Sequence, residues 1–169
     1  MSKPMGLRDL KVAPYPTGAA VDVGAAIEAT VEDRVKTAEL PGDDAIAALS
    51  SYIEAATVKL SAGGISMEAI QVLAGKTLVE SGSTPTTVRT QTTTAGRLPY
   101  FRLFGKSLGE GDDDVHIKVY KVKLTKSPGV SMKNGEFHIS ECEGLALPND
   151  SGDIYDTVEN ETAADLPAS

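Results

Sequence analysis

The 169 residues carry 24 acidic and 16 basic side chains, a formal net charge of −8, and this balance disfavours a basic nucleic-acid-binding surface. The single cysteine, Cys142, excludes an intramolecular disulfide and a cysteine-based zinc site. No apolar run approaches the roughly 20 residues of a membrane span, and the N-terminus lacks the apolar core of a secretion signal, so we expect a soluble protein made in the cytoplasm.

The first strands are predicted near the N-terminus. Residues 6–12 form a short candidate strand that ends before Pro14, because proline cannot donate to a ladder. Residues 25–35 alternate with period two, with Ile27, Ala29 and Val31 on one side. The other side carries Glu28 and Glu32, which predicts a half-buried antiparallel strand with carboxylates on its open face.

A polar stretch over about residues 33–51 separates this strand from the next one. Structureless loops of this length are uncommon in compact domains. The stretch is therefore either a surface loop with a mobile tip or a projecting hairpin arm that contacts another copy of the protein. The residues that would carry such a contact are Asp33, Arg34, Lys36, Leu40, Asp43, Asp44, Ile46 and Leu49.

Residues 52–75 predict a strand, a tight turn and a short helix. Ile53, Val58 and Leu60 favour the strand, and the paired glycines of residues 61–64 favour the turn. Ser66 is placed as the N-cap of a helix over about residues 66–74, which Gly75 ends. A helix this short is not stable alone, so we expect it to lie on a sheet.

The second half of the chain predicts further strands. Residues 76–80 are strand or loop, and the threonine-rich residues 84–94 are an exposed strand or a linker. Residues 98–105 predict a strand buried on both sides, and residues 115–126 predict a strand whose apolar phase switches at Val119-Tyr120, either at a bulge or because its two ends have different neighbours. Residues 136–147 predict a last strand with Phe137 and Ile139 inward. The class is α+β, mainly β.

The chain ends in an acidic segment. Six acids and no lysine or arginine fall within residues 150–169, and such a composition predicts a flexible C-terminal tail. Residues 1–149 then form one domain, with 16 basic against 18 acidic side chains.

No enzyme motif stands out. The acids at 112–114 beside His116 lack the spacing of a calcium loop and predict a solvated turn. His138 and Cys142 lie four residues apart in an extended chain, about 13 Å, which is too far for a catalytic or metal-binding pair. We therefore expect a protein without catalytic residues, metal or cofactor.

Several segments together resemble the major tail tube proteins of long-tailed, siphovirus-type bacteriophages. The ordered set covers roughly residues 6–147, and the threonine-rich stretch and the end after Pro148 depart from it. The segments are GLRDLKVAP from residue 6, GAAIEATV from residue 24, the polar arm with Gly42-Asp43-Asp44, the strand-turn-helix of residues 53–75, PYFRLFGK from residue 99 and YKVKL from residue 120.

The resemblance implies a structural virion protein with two packed antiparallel sheets, a β-sandwich or barrel-like fold, and one flanking helix. Six copies would close into a ring, and rings would stack helically around a tape-measure protein, between tail-tip and tail terminator proteins. DNA would pass through the channel without specific binding, and assembly would take place in the host bacterial cytoplasm, without a membrane.

Within that resemblance, two sets of residues gain a predicted role. The arm would contact the adjacent ring, and Glu28, Glu32 and Glu54 would face the channel, where negative charge repels DNA phosphate. For these acids, solvation of an outer sheet face is the alternative. For the whole chain the alternatives are a tube protein of a contractile injector or secretion system, and a monomeric β-sandwich binding module.

Overall fold

The computed structural model describes residues 5–42, 46–109, 111, 113–136 and 138–168. In these ranges the protein is mainly β, with one short helix and two antiparallel sheets, as the sequence predicts. Within the described residues, no helix combines the length and the apolar character that a membrane crossing needs. The elements are β1 Met5–Pro14, β2 Val21–Asp22, β3 Gly24–Pro41, β4 Ile46–Ile65, α1 Met67–Ala74, β5 Thr77–Ser81, β6 Val88–Thr92, β7 Tyr100–Leu108, β8 Asp114–Lys126, β9 Ser140–Ala146 and β10 Tyr155–Asn160.

The larger sheet runs β2-β1-β7-β8-β9-β4-β3, with β10 added to β8. The large sheet has two parts that share strand β8. Residues 114–119 of this strand pair with β10, and residues 122–126 pair with β9. This division explains the phase switch at Val119-Tyr120, where the two ends of the strand do have different neighbours. The pairing with β7 also shifts register at this point, between Phe101 and Leu103. The smaller sheet is the hairpin of β5 and β6, so the threonine-rich stretch contains a strand.

The core lies between the two parts of the large sheet. Its largest fully buried side chains include Phe101, Leu10 and Leu103 from β7 and β1, and they pack against Val58 and Leu60 of β4 in one cluster. Hydrophobic burial of this kind is the main favourable term in folding. The main core cluster therefore consists mostly of aliphatic side chains, with Phe101 as its buried phenylalanine.

Helix α1 follows its predicted caps. The Ser66 hydroxyl accepts a hydrogen bond from Ala69 N at 3.1 Å, and Gly75 ends the helix in the left-handed region at φ 64° while its N–H donates to Gln71 O. Ala69 and Leu73 are the buried residues of the helix and belong to the main core, so the sheet supplies the support that a helix of this length needs.

Two predictions about local structure are wrong, and a third falls on a residue outside the described part of the chain. Residues 61–64 are not a tight turn, because β4 continues to Ile65 and two register shifts against β3 absorb the irregularity. Ile139 is 54% exposed rather than inward, and Phe137 lies outside the described residues. The inward residues of β9 are instead small, and Gly144 shows why: a Cβ there would lie 2.8 Å from Val122 Cγ1.

The acidic C-terminal segment also differs from the prediction. Strand β10 pairs with β8 from Tyr155↔Val119 to Asn160↔Asp114, and Leu166 is buried against Phe104 and Ala13. The segment therefore lies on the body and covers the second side of β7. Backbone pairing and one apolar anchor outweigh a composition that by itself is typical of a flexible tail.

Candidate functional site

A two-stranded arm extends from the body. Strand β4 pairs with β9 from Ala62 to Ala56, and beyond Ala56 the described residues of β3 and β4 pair with each other as far as Pro41↔Ile46. We call residues 34–42 and 46–55 the arm. At the usual rise per residue the arm is about 30 Å long. The stretch is thus a hairpin arm and not a structureless loop, and its predicted residues Asp43 and Asp44 lie outside the described part of the chain.

Both faces of the arm carry large apolar side chains that are more than half exposed. Cross-strand partners share a face, so Val35, Ile53 and Leu49 lie on one face and Leu40 and Tyr52 on the other. A two-stranded hairpin is marginally stable in water, and an exposed apolar cluster marks an interaction site. The exposed set is Val35, Leu40, Ile46, Leu49, Tyr52 and Ile53.

The base of the arm holds a small ion-pair cluster. A register shift after Arg34 lets Glu54 lie on the same face as Arg34 and Lys36, and the Glu54 carboxylate is 3.3 Å from Arg34 Nε and 3.9 Å from Lys36 Nζ. The charge of Glu54, predicted to face a channel, is therefore compensated within the arm. Asp33 belongs to the body, opposite Ala56, and its hydrogen bond with the Tyr155 hydroxyl raises the pKa of Tyr155.

The outer face of β3, β4 and β9 carries the other predicted acids. Glu28 and Glu32 lie opposite Ser61 and Thr57, both on the side of β4 away from the core. The pairing of β4 with β9 adds Glu141 and Glu143 to this face. The sequence does not predict this, because Phe137 and Ile139 indicate the opposite side of β9 as the inward one. The same face also presents four cations, so its acids are balanced and the face is mixed in charge. These cations are Lys59, Lys121, Lys123 and Lys126.

Strand β3 forms an edge of the large sheet. Over Gly24–Pro41 it pairs with β4 on one side, and no described strand pairs with its other side. An edge of this length presents a row of backbone N–H and C=O groups that can pair with another chain. Next to it lies a largely apolar cleft of about 440 Å³, lined by residues of β1, β3, β7 and β8.

A buried carboxylate fixes the C-terminal segment to the body. Asp114 is fully buried, and its oxygens accept hydrogen bonds from Asn160 Nδ2 and Ala164 N, each at 2.7 Å, and lie 3.2 Å from Lys106 Nζ and 3.1 Å from His116 Nε2. Burial alone would raise the pKa of Asp114, but these four hydrogen bonds hold it well below its usual value. The predicted solvated turn is wrong at this residue, where the charge is paired and structural.

The structure gives the remaining reactive side chains local partners. His138 accepts a hydrogen bond from Ser131 N and contacts the Ser140 hydroxyl, whereas Cys142 is buried in the core. Burial raises the pKa of the Cys142 thiol to about 11, which leaves it protonated at neutral pH. In the described ranges, no group of three or more His, Cys, Asp or Glu side chains is arranged to hold a metal ion.

Comparison with known proteins adds no relative. No protein-family model matches this sequence, and no curated protein matches it significantly.

Proposed function

We propose that this protein is a structural subunit that assembles with copies of itself into the tail tube of a long-tailed, siphovirus-type bacteriophage. The arm is the observation that carries the proposal. Within a single chain its six large apolar side chains remain exposed to water. Burial of such side chains between copies is a favourable term in association. The subunit would act by its shape and surfaces and not by catalysis.

The unpaired edge of β3 supports lateral assembly. Pairing this edge with a neighbouring copy would satisfy its backbone groups, and closing the sheet around a ring removes exposed edges altogether. In the proposed tube, six copies form each ring and the rings stack around a tape-measure protein. The virion tail is then the place where the protein acts, after assembly in the host cytoplasm.

The outer face with Glu28 and Glu32 is the surface that we propose faces the channel. Its acids and lysines are balanced in number, so the face is not a basic surface that would bind DNA, and Glu28 and Glu32 repel phosphate locally. The lysines on the same face make that repulsion modest, and Glu54 contributes little to it because Arg34 and Lys36 neutralise its charge. A tube protein of a contractile injector or secretion system would share this architecture and differ by its sheath partner.

A monomeric β-sandwich binding module is the second candidate, and the cleft of about 440 Å³ favours it. Its size and apolar walls are those of small-molecule sites. The arm argues against this candidate, because a monomer gains nothing from leaving six large apolar side chains in water.

Negative-stain electron microscopy of the concentrated, purified protein separates the two candidates. Tubes or six-fold rings support the proposed function, and compact monomers at every concentration contradict it. The same preparation with the arm shortened is the matched control, since it retains the body and the cleft.

A further inference from the structure

His138 lies just before β9 and contacts the loop that leads to this strand from β8. Strand β8 ends at Lys126, and β9 begins at Ser140. The Nδ1 atom of His138 accepts a hydrogen bond from Ser131 N at 3.2 Å, and its Nε2 atom lies 2.8 Å from the Ser140 hydroxyl. One imidazole ring therefore joins the middle of the loop to the strand that follows it.

The contact with Ser131 determines which nitrogen of the ring carries the proton. A backbone N–H group can only donate, so Nδ1 presents its lone pair to Ser131. A neutral imidazole has a single N–H group, which in this arrangement lies on Nε2 and donates to the Ser140 hydroxyl. His138 is therefore not placed to take a proton from Ser140 as a catalytic base. The neutral ring is the form that makes both hydrogen bonds.

A second proton on the ring is incompatible with the contact to Ser131. In the imidazolium form both nitrogens are donors, so the Nδ1–H group of His138 would face the Ser131 N–H group across 3.2 Å. The Ser131 N–H group would lose its acceptor, while the hydrogen bond from Nε2 to Ser140 would remain. Histidine is the side chain whose charge changes between about pH 5 and pH 8. A fall in pH within this range therefore removes one of the two hydrogen bonds.

The charged groups around His138 are already paired with each other. Lys133 and Glu136 line the same cavity of about 190 Å³ as His138, and they form an ion pair at 3.3 Å. The first acid of β9, Glu141, pairs with Lys126 at 3.7 Å. The residue of β4 that pairs with the start of β9 is uncharged. The attraction of these acids for an imidazolium is therefore offset by the neighbouring lysines.

The second histidine of the chain responds in the opposite sense. His116 Nε2 lies 3.1 Å from the buried carboxylate of Asp114, so a proton gained by His116 strengthens this hydrogen bond. Asp114 also accepts a hydrogen bond from Ala164 N at 2.7 Å, and its lowered pKa keeps it charged at acidic pH. The contact between Asp114 and Ala164 therefore persists when both histidines are protonated, and it provides an internal reference.

We propose that His138 is a pH-sensitive clasp on the loop between β8 and β9. The neutral ring holds the segment around Ser131 against the start of β9, and protonation of the ring releases that segment while β9 stays paired. Val130 and Met132, which flank Ser131 and are 75% and 91% exposed, then move with it. This inference is independent of the proposed function, because it concerns one loop of the single chain.

Amide hydrogen exchange, followed by NMR on the monomeric protein, tests this clasp. The protection factor relates the exchange rate of each amide to that of an unstructured peptide at the same pH, so the intrinsic pH dependence of exchange cancels. From about pH 7.5 to about pH 5, we expect the protection of Ser131 N–H to fall roughly fivefold or more, as for the loss of one hydrogen bond. The protection of Ala164 N–H should stay constant, because Asp114 remains charged over this range.

Two glutamine variants assign the response to one of the two histidines. His138→Gln retains an oxygen that accepts and an N–H group that donates but does not titrate, so its Ser131 protection should be independent of pH. His116→Gln leaves His138 as the titrating histidine, and Ser131 should respond to pH as in the wild type. The inference is overturned by constant Ser131 protection in the wild type, by an equal loss at Ala164, or by a pH response that persists in His138→Gln.

Discussion

The body and the arm are built from the same two strands, and they differ in what covers their side chains. In the body, Leu60 of β4 is 4% exposed because β1 and β7 pack across from it. In the arm, Leu49 of the same strand is 63% exposed, and Leu40 on β3 is 61% exposed. The residues are chemically alike, and the pairing of β3 with β4 resumes in the arm after the register shift at Arg34. The difference is the second layer, which the body has and the arm lacks.

This comparison shows that strand pairing and burial are separate requirements. Alternation and β-branched residues specify where a strand runs, but a hairpin needs a third strand or a second layer to be stable by itself. Burying a large apolar side chain completely contributes about 1.5–3 kcal/mol. Six such residues, each about half exposed, therefore leave several kcal/mol available for association with another copy. The arm is the part of the fold that a partner completes.

The largest expected effect comes from removing the arm. Val35 and Ile53 are cross-strand neighbours, so residues 36–52 can be replaced by Asn-Gly, the preferred two-residue hairpin turn. We expect a soluble monomer with a circular dichroism spectrum and melting temperature close to those of the wild type, and no tubes by electron microscopy. Tubes of normal appearance from this variant would refute the role of the arm.

The second prediction compares one leucine in each region. Leu60→Ala removes a buried side chain from the core and should lower the free energy of unfolding by about 2–5 kcal/mol. Leu49→Ala, in the arm of the monomer, should change it by no more than about 0.5 kcal/mol. Urea unfolding of both variants, at a protein concentration too low for assembly, measures the difference. Similar losses of unfolding free energy in the two variants would show that the arm is packed in the monomer.

The third prediction concerns the buried charge that holds the C-terminal segment. The pKa of Asp114 is lowered in the folded state, so the unfolded state binds more protons at acidic pH. The stabilisation from this carboxylate is therefore complete above the pKa of the unfolded state, about 3.9, and is lost as the pH falls below it. The melting temperature of Asp114→Asn should lie below that of the wild type at neutral pH. The gap between the two should narrow as the pH falls below about 4, and a gap independent of pH would show that the carboxylate charge contributes nothing.

The smallest expected effect on stability is at the outer face of β3. Glu28→Lys with Glu32→Lys changes two exposed side chains, so stability should change by no more than about 0.5 kcal/mol and tubes should still form. In the proposed tail the variant should slow DNA ejection, because lysines on the channel wall attract phosphate. Glu28→Gln with Glu32→Gln is the matched control, since it removes the two acids without adding the lysines that attract phosphate. Unchanged ejection in the double variant would contradict a channel-facing role.

The sequence was sufficient for features that depend on local chemistry. The caps at Ser66 and Gly75 define the helix by hydrogen bonds within one turn, and period two identifies β3 from Ile27 to Val31. The phase switch in β8 is also visible in the sequence. The two ends of the strand have different neighbours, so apolar residues alternate in a different phase at each end.

The features that the sequence did not predict depend on distant partners. Strand β10 looked like a flexible tail because its acids are neighbours in the chain, whereas its order comes from Asp114 and from Leu166 packing on Phe104. The inward face of β9 was misjudged because close approach to β8 requires small residues such as Gly144 there. The hydrophobicity of the residues alone does not show how closely β8 and β9 approach each other.

The most direct test of the central claim is a near-atomic cryo-electron microscopy reconstruction of the assembled protein, from which the exposed fraction of each arm side chain can be measured. The account predicts that Leu40, Ile46 and Leu49, each about 60% exposed in the single chain, become buried against a neighbouring copy. An assembly in which these three side chains remain as exposed as in the single chain would contradict it.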